Sequence, residues 1–330
     1  MLPSTTLPIY DVLLKKIYTY YETIWQDKWR EEIDTSWLSN FVHADENELH
    51  KEKVNMLYLL SKFMYFGNNE LRQLLLSLYR DLYKYPIISS IRKANGNTID
   101  VDFIDKNFEN EVQSTRFLGV GNPSESGVHL LYYFRQECGL SKENFINSSD
   151  IFSTFKVDDV DPFTGNPRTY LKSQIFDGNI NRYIFIDDFC GSGDQAKQYL
   201  SPIAENIKFE NPAIEIKYLM LFGTESGINE LRKIKFFDAV DAVFTIDESF
   251  KAFSDSSRYF KEEVDILIDK KYSEATATKY GGKLFQPALG HGNCQLLFGL
   301  FHNTPDNSLP IFWSNRNDWK PIFKRFNKIY

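Results

Sequence analysis

Cysteine is scarce in this chain, with three in 330 residues, at Cys138, Cys190 and Cys294. Their odd number and wide separation exclude a thiolate metal cluster and suit reduced thiols. Positive charge is also short, 38 Lys and Arg against 45 Asp and Glu, for a net charge of −7. A broad nucleic-acid surface needs cations to neutralise phosphates, so none is expected, although a local basic patch stays open. No apolar run reaches the length of a membrane span. The N-terminus also lacks a basic segment ahead of an apolar block, so neither insertion nor secretion is expected and a cytoplasmic location is. There is no Gly-x-x-x-x-Gly-Lys-Ser/Thr loop, no Pro-Pro pair, no internal repeat and no low-complexity run. What is present, 42% hydrophobic and 16% aromatic residues, is enough for a full α/β core plus an extension.

The first part of the chain reads as helical. Leu14, Ile17, Tyr18, Tyr21 and Trp25 recur at helical spacing, and Leu71, Leu74, Leu75, Leu78 and Leu82 repeat the pattern after Gly67-Asn68. Val54 to Phe66 is a third apolar segment. Pro86 is expected to end the last helix, and Asn95-Gly96-Asn97 marks a boundary, giving a helical region over 1–95. Apolar stripes of this kind fit a packed bundle, with a partner-docking module as the alternative.

From Thr115 onward, strand, turn and helix alternate, the pattern of a parallel sheet. Strands are expected at Arg116 to Gly121, Tyr183 to Ile186, Ile214 to Phe222 and Ala239 to Ile246. Between them lie a helix from Val128 to Cys138 closed by Gly139, and another that includes Leu231. The sharpest segment is Tyr183-Ile-Phe-Ile-Asp-Asp-Phe-Cys-Gly-Ser-Gly-Asp-Gln-Ala196. An apolar strand ends there in Asp187 and Asp188 and opens at once into a glycine-broken loop before a helix. Ligands collect at the carboxyl ends of parallel strands, and free amides at a helix start suit an anionic group, most naturally a phosphate.

This segment resembles the signature of the type I phosphoribosyltransferases: apolar strand, two adjacent acids, short spacer, Ser/Thr-Gly and helix. The resemblance implies that Asp187 and Asp188 contact ribose hydroxyls of phosphoribosyl pyrophosphate. It likewise implies that Gly191, Ser192, Gly193, Asp194 and Gln195 hold the 5′-phosphate. Two residues depart from the family pattern: Asp194 is an acid in a loop that should receive a dianion, and Gln195 stands where threonine is usual. The earlier loop Asn122-Pro-Ser-Glu-Ser-Gly127 is similar in position to the family's pyrophosphate loop, which assigns Ser124, Ser126 and Gly127 to pyrophosphate; a capped helix entered through Asn-Pro is the plain alternative. The loop Gly223-Thr-Glu-Ser-Gly227 is expected to shape the crevice rather than perform chemistry.

Taken together, the layout resembles phosphoribosyltransferase-like proteins of bacterial conflict and phage-defence gene clusters. It implies an α/β fold, a type I phosphoribosyltransferase-like parallel sheet with helices on both faces, over 96–330 and after the helical region. A C-terminal hood, at about 270–330, would receive the second substrate. His291, Phe312 and Trp313 are its candidate contacts, the aromatic rings either stacking on a base or packing in a core. The implied reaction is pentosyl transfer with release of pyrophosphate, with Mg2+ held mainly through substrate oxygens and no protein metal ligand named. His291 and His302 have no ligand partner at metal spacing, and Cys190 is not taken as a nucleophile. Two alternatives stay open: a non-catalytic nucleotide sensor signalling to a protein partner through the helical region, and an S-adenosylmethionine-dependent methyltransferase, suggested by Asp188-Phe-Cys-Gly-Ser-Gly193 but lacking a Pro-Pro segment.

Overall fold

The computed structural model describes residues 8–25, 36–121, 126–261, 265–323 and 325–326, without the side chain of Ser126. Helices are α1 Ile9–Thr23, α2 Glu46–Leu60, α3 Asn68–Ser77, α4 Tyr85–Ala94, α5 Val101–Gln113, α6 Ser126–Cys138, α7 Asp194–Glu210, α8 Glu225–Arg232, α9 Lys270–Leu284 and the short α10 Pro310–Trp313. Strands are β1 Met64–Phe66, β2 Thr115–Gly119, β3 Phe152–Val160, β4 Pro167–Ile175, β5 Arg182–Cys190, β6 Glu215–Thr224, β7 Ala239–Ile246 and β8 Phe298–Leu300. Two compact units form: residues 1–71 with 246–330, and residues 72–245. The first division falls inside α3, and the boundary expected near residue 95 lies within the second unit, between α4 and α5.

The second unit is built on a four-stranded sheet of order β2-β5-β6-β7, in which β5 runs parallel to both neighbours. Side chains alternate across such a sheet, and both faces are apolar here. Leu118, Tyr183, Phe185, Tyr218 and Met220 pack with Leu200, Ala204 and Ile207 of α7 and Ile228 and Leu231 of α8. On the other face Phe117 meets Phe134 of α6 and Tyr83 edge-on, with ring centroids at 5.2 and 5.1 Å. The sheet is therefore covered by helices on both sides, as the sequence pattern requires.

At the amino ends of the strands, charge replaces apolar packing. The guanidinium of Arg182, largely buried, donates to Glu111 at 3.0 Å, to Thr115 Oγ1 at 3.2 Å and to Glu215, which Lys217 also approaches at 2.9 Å. This network ties β2, β5, β6 and α5 together. Burial would raise the Glu215 carboxyl, but Lys217 and Arg182 outweigh it and hold the group below the usual range.

Within the first unit, α2 and α9, more than two hundred residues apart in sequence, share buried polar contacts. Glu52 accepts from Tyr280 Oη at 2.7 Å and Lys279 Nζ at 2.5 Å. Asn55 donates to the Leu267 carbonyl at 2.8 Å and accepts from Ser273 Oγ at 2.8 Å. Aromatic rings fill the rest: Trp37 stacks on Phe312 with centroids 5.4 Å apart, and Phe63 on Phe323 at 4.1 Å. The short strands β1 and β8 pair in parallel there. Much of the helical opening segment and of the expected hood thus belong to one apolar cluster.

Three elements differ from the sequence reading. Pro86 does not end a helix: residues Leu78–Lys84 form a π-helical stretch, and Pro86 then sits in the first turn of α4. Helical backbone runs into Pro86 without a break, and the wider π-helical turn before it accommodates a residue that has no N–H to donate. The polar stretch after Asn97 leads into α5, capped by Asp100, whose carboxylate accepts from Phe103 N at 3.1 Å. An antiparallel hairpin, β3 with β4, stands between α6 and β5, and its strands are exposed along most of their length. The turn residues Asp161-Pro-Phe-Thr-Gly165 are its sequence signal.

Replacing Arg182 with Met leaves Glu111 without its cation beside the sheet and Glu215 with Lys217 alone. The expected loss is about 2 kcal/mol in urea unfolding, below the usual cost of breaking a fully buried pair because both carboxylates reach solvent. A loss under about 0.5 kcal/mol would show that the network does not hold the strand ends.

Candidate ligand site at the carboxyl edge of the sheet

Tyr183 to Ile186 are buried on both faces, and β5 stays paired with β6 as far as Cys190 opposite Gly223. Asp187 and Asp188 therefore enter the ladder at the carboxyl edge, the first half-buried and the second 7% exposed. The register with β6 skips Asp188, and the two carboxyl groups lie close enough to interact with one another. Asp187 falls on the side of Tyr183 and Phe185, where Tyr218 Oη donates to its Oδ2 at 2.8 Å and the Asp188 amide to its Oδ1 at 2.9 Å. The Phe189 amide donates to Asp188 Oδ1 at 2.8 Å.

Burial, and next the charge of Asp188, push the Asp187 carboxyl well above its ordinary value, against the hydrogen bond from Tyr218. Burial and Asp187 in turn raise the Tyr218 phenol. The same two causes lift the Cys190 thiol to about 12, so it is protonated at neutral pH and no nucleophile there. Asp187 is thus an acid held where ionisation is unfavourable.

The chain then turns sharply. Gly193, at φ 83°, caps α7, and a side chain there would come within 3.1 Å of Leu231 Cγ and 3.2 Å of the Gly227 carbonyl. Ser192 Oγ donates to Asp194 Oδ2 at 2.7 Å, and Asp194 and Gln195 are exposed at the first turn of the helix. That turn carries the positive end of the helix dipole, the physical basis of anion binding, and its Asp194 amide donates to Ser192 Oγ at 3.4 Å. The Asp194 carboxylate occupies part of the same field and takes a hydroxyl that a phosphate would use.

At the end of β2, Gly127 of α6 lies where a Cβ would sit 2.8 Å from the Val120 backbone and 3.0 Å from the Ile186 carbonyl, so its immediate effect is close approach of helix to sheet. Ser124 and the side chain of Ser126 lie outside the described residues. His291, Phe312 and Trp313 are in the first unit. His291 is exposed; Phe312 is fully buried, and Trp313, 5% exposed, donates from Nε1 to the Ser308 carbonyl at 2.8 Å. Among the described residues no group of three or more His, Cys, Asp or Glu could hold a metal ion. No helix among them is long and apolar enough to cross a membrane.

Two residues of the site were not singled out from sequence. Tyr218 carries a hydroxyl in the buried stretch of β6, and Thr224 stands three residues before Gly227 as the cap of α8. A lone hydroxyl in a buried strand, and a threonine at a strand-to-helix junction, are the signals that could have found them.

A family model, PRTase-CE, matches residues 35–325 of the chain. A search of curated proteins finds no match. Among solved structures, the AQ2163 protein from Aquifex aeolicus is similar at 11% identity and a TM-score of 0.29, over 75% of this chain and 88% of that one. The xanthine-guanine-hypoxanthine phosphoribosyltransferase of Helicobacter pylori is similar at 10% identity and a TM-score of 0.26, over 56% and 92%. The orotate phosphoribosyltransferase from Aeropyrum pernix follows at 15% identity and a TM-score of 0.23, over 42% and 64%.

Because the folded-state value of Asp187 is raised, the folded chain is favoured below the ordinary carboxylate range, and that advantage is lost as pH rises through the raised value. Asp187→Asn removes the ionisation and keeps an acceptor for Tyr218. It should raise the thermal midpoint of the ligand-free chain by about 2 °C at pH 7 to 8, the gain vanishing toward pH 3. Thermal melts of both proteins across that range check this, and a variant less stable than wild type at pH 8 would refute it.

Proposed function

Given that the chain belongs to the PRTase-CE family, a phosphoribosyltransferase-like family, we propose that it binds phosphoribosyl pyrophosphate or a related ribose phosphate at the carboxyl edge of β5. The observation that carries this reading is the unbroken order in β5 and α7: two acids at the end of the central strand, then a loop capped by a left-handed glycine at a helix start. Asp187 and Asp188 accept hydrogen bonds from the ribose hydroxyls, and the amides of Gly191 to Gln195 receive the 5′-phosphate. Ser124, Ser126 and Gly127 take the pyrophosphate.

In the reaction that follows, the bond from the anomeric carbon to the pyrophosphate oxygen breaks as a bond to the incoming nucleophile forms. Pyrophosphate leaves with the electron pair. Positive charge on the sugar ring is stabilised by carboxylate charge nearby, which ligand binding favours by pairing the acids with hydroxyl donors. Mg2+ carried mainly by substrate oxygens would neutralise the leaving group. The sequence expectation that Phe312 and Trp313 contact a second substrate is not carried forward, because both rings are buried in the packing of the first unit. An antiviral role is part of the proposal through the resemblance to defence-cluster proteins, and phage plating on cells with and without the gene tests it.

One observation favours a second reading, binding without turnover. Asp194 holds the Ser192 hydroxyl that would otherwise grip the phosphate, which suits a sensor of modest affinity. The methyltransferase alternative is set aside in favour of the family.

Calorimetric titration with phosphoribosyl pyrophosphate and Mg2+, followed by a pyrophosphate-release assay over a panel of bases and nucleotides, separates the readings. Binding with release supports the transferase, and binding without release the sensor. Asp187→Asn with Asp188→Asn should weaken binding at least tenfold while the circular dichroism spectrum stays unchanged; undiminished binding would displace the site.

A further inference from the structure

We propose that Thr224 is a positioning residue for the Gly191–Gln195 loop: its hydroxyl fixes which way the Gly191–Ser192 peptide faces, and so whether that loop offers an anion an amide or a carbonyl. The inference rests on the ribose phosphate reading for its consequence, and on the geometry for its premise.

Thr224 ends β6 and caps α8. Its Oγ1 accepts from the Gly227 amide at 3.0 Å and donates to the Gly191 carbonyl oxygen at 2.5 Å. A hydroxyl has one proton. With that proton on Gly191, the contact with Ser226 Oγ at 3.2 Å has Ser226 as donor. Thr224 is 7% exposed, so water has little access to replace it.

A trans peptide points its N–H opposite to its C=O. Holding the Gly191 oxygen against Thr224 therefore turns the Ser192 N–H away from α8, and that amide has no acceptor among the described residues. Gly227 makes the contact feasible, since a Cβ there would run into the Gly191 oxygen. The loop itself cannot secure this orientation, because glycines at 191 and 193 leave the backbone free to rotate. Rotated by half a turn, the same peptide would aim a carbonyl dipole at an incoming anion.

The test uses the full chain in four forms: wild type, Thr224→Val, Thr224→Ala and Thr224→Ser. Crystal structures without ligand report the Gly191–Ser192 peptide, and calorimetry with ribose 5-phosphate and with phosphoribosyl pyrophosphate plus Mg2+ reports affinity. The Val and Ala forms should show the peptide turned or in two orientations and bind at least tenfold more weakly. The Ser form should keep the orientation and bind within about threefold of wild type, a rescue that loss of packing alone would not give. A Gly191 carbonyl unmoved in both Val and Ala forms overturns the proposal, as does unchanged affinity in them. If the wild-type chain binds neither phosphate, the ribose phosphate reading fails, and the peptide orientation in the variants still decides the role of Thr224.

Discussion

Burial of β5 on both faces, between β2 and β6 and between two layers of helices, is the constraint from which the rest follows. A strand so enclosed must be apolar along its length, as Tyr183 to Ile186 are. Charge enters only where the sheet ends, and it does so at both ends for different purposes. At the amino end Arg182 meets Glu111, Glu215 and Thr115 and the charges satisfy one another. At the carboxyl end two acids of the same sign stand side by side with a buried phenol and a buried thiol, and no cation is among the groups that shift the Asp187 carboxyl.

That asymmetry separates structure from function. The lower network neutralises its own charge and holds strands in register. At the carboxyl end burial and the charge of Asp188 raise the Asp187 carboxyl, with no such neutralising partner. Asp187 keeps a hydrogen bond from Tyr218, which orients it. The adjacent loop follows the same logic. It is met by contacts from outside it, Thr224 on the Gly191 carbonyl and Leu231 beneath Gly193.

Much of this was legible in the chain. The four sheet strands follow from apolar runs of strand length, and the acids and glycines at 187–193 name the edge where a ligand would sit. The hairpin β3–β4 was not read, since its strands are exposed and their composition is polar; only the turn at Asp161 to Gly165 marks it. Pro86 misled because a proline was taken as an ending, whereas the π-helical stretch before it lets helical backbone continue into α4. Phe312 and Trp313 could stack or pack on sequence grounds, and in the first unit both rings are buried.

The sequence by itself determined the alternation of strand and helix, the position of the paired acids at a strand end and the left-handed turn at Gly193, because each is a local property of periodicity, charge order or glycine. Tertiary structure alone decided that α2 and α9 share Glu52 and Asn55, that Tyr218 reaches Asp187 and that Thr224 holds Gly191. Each of these contacts joins residues at least thirty positions apart. No local pattern encodes which distant partner a buried polar group will find; that is fixed only when strands pair in one register and leave each such group a single donor or acceptor within reach.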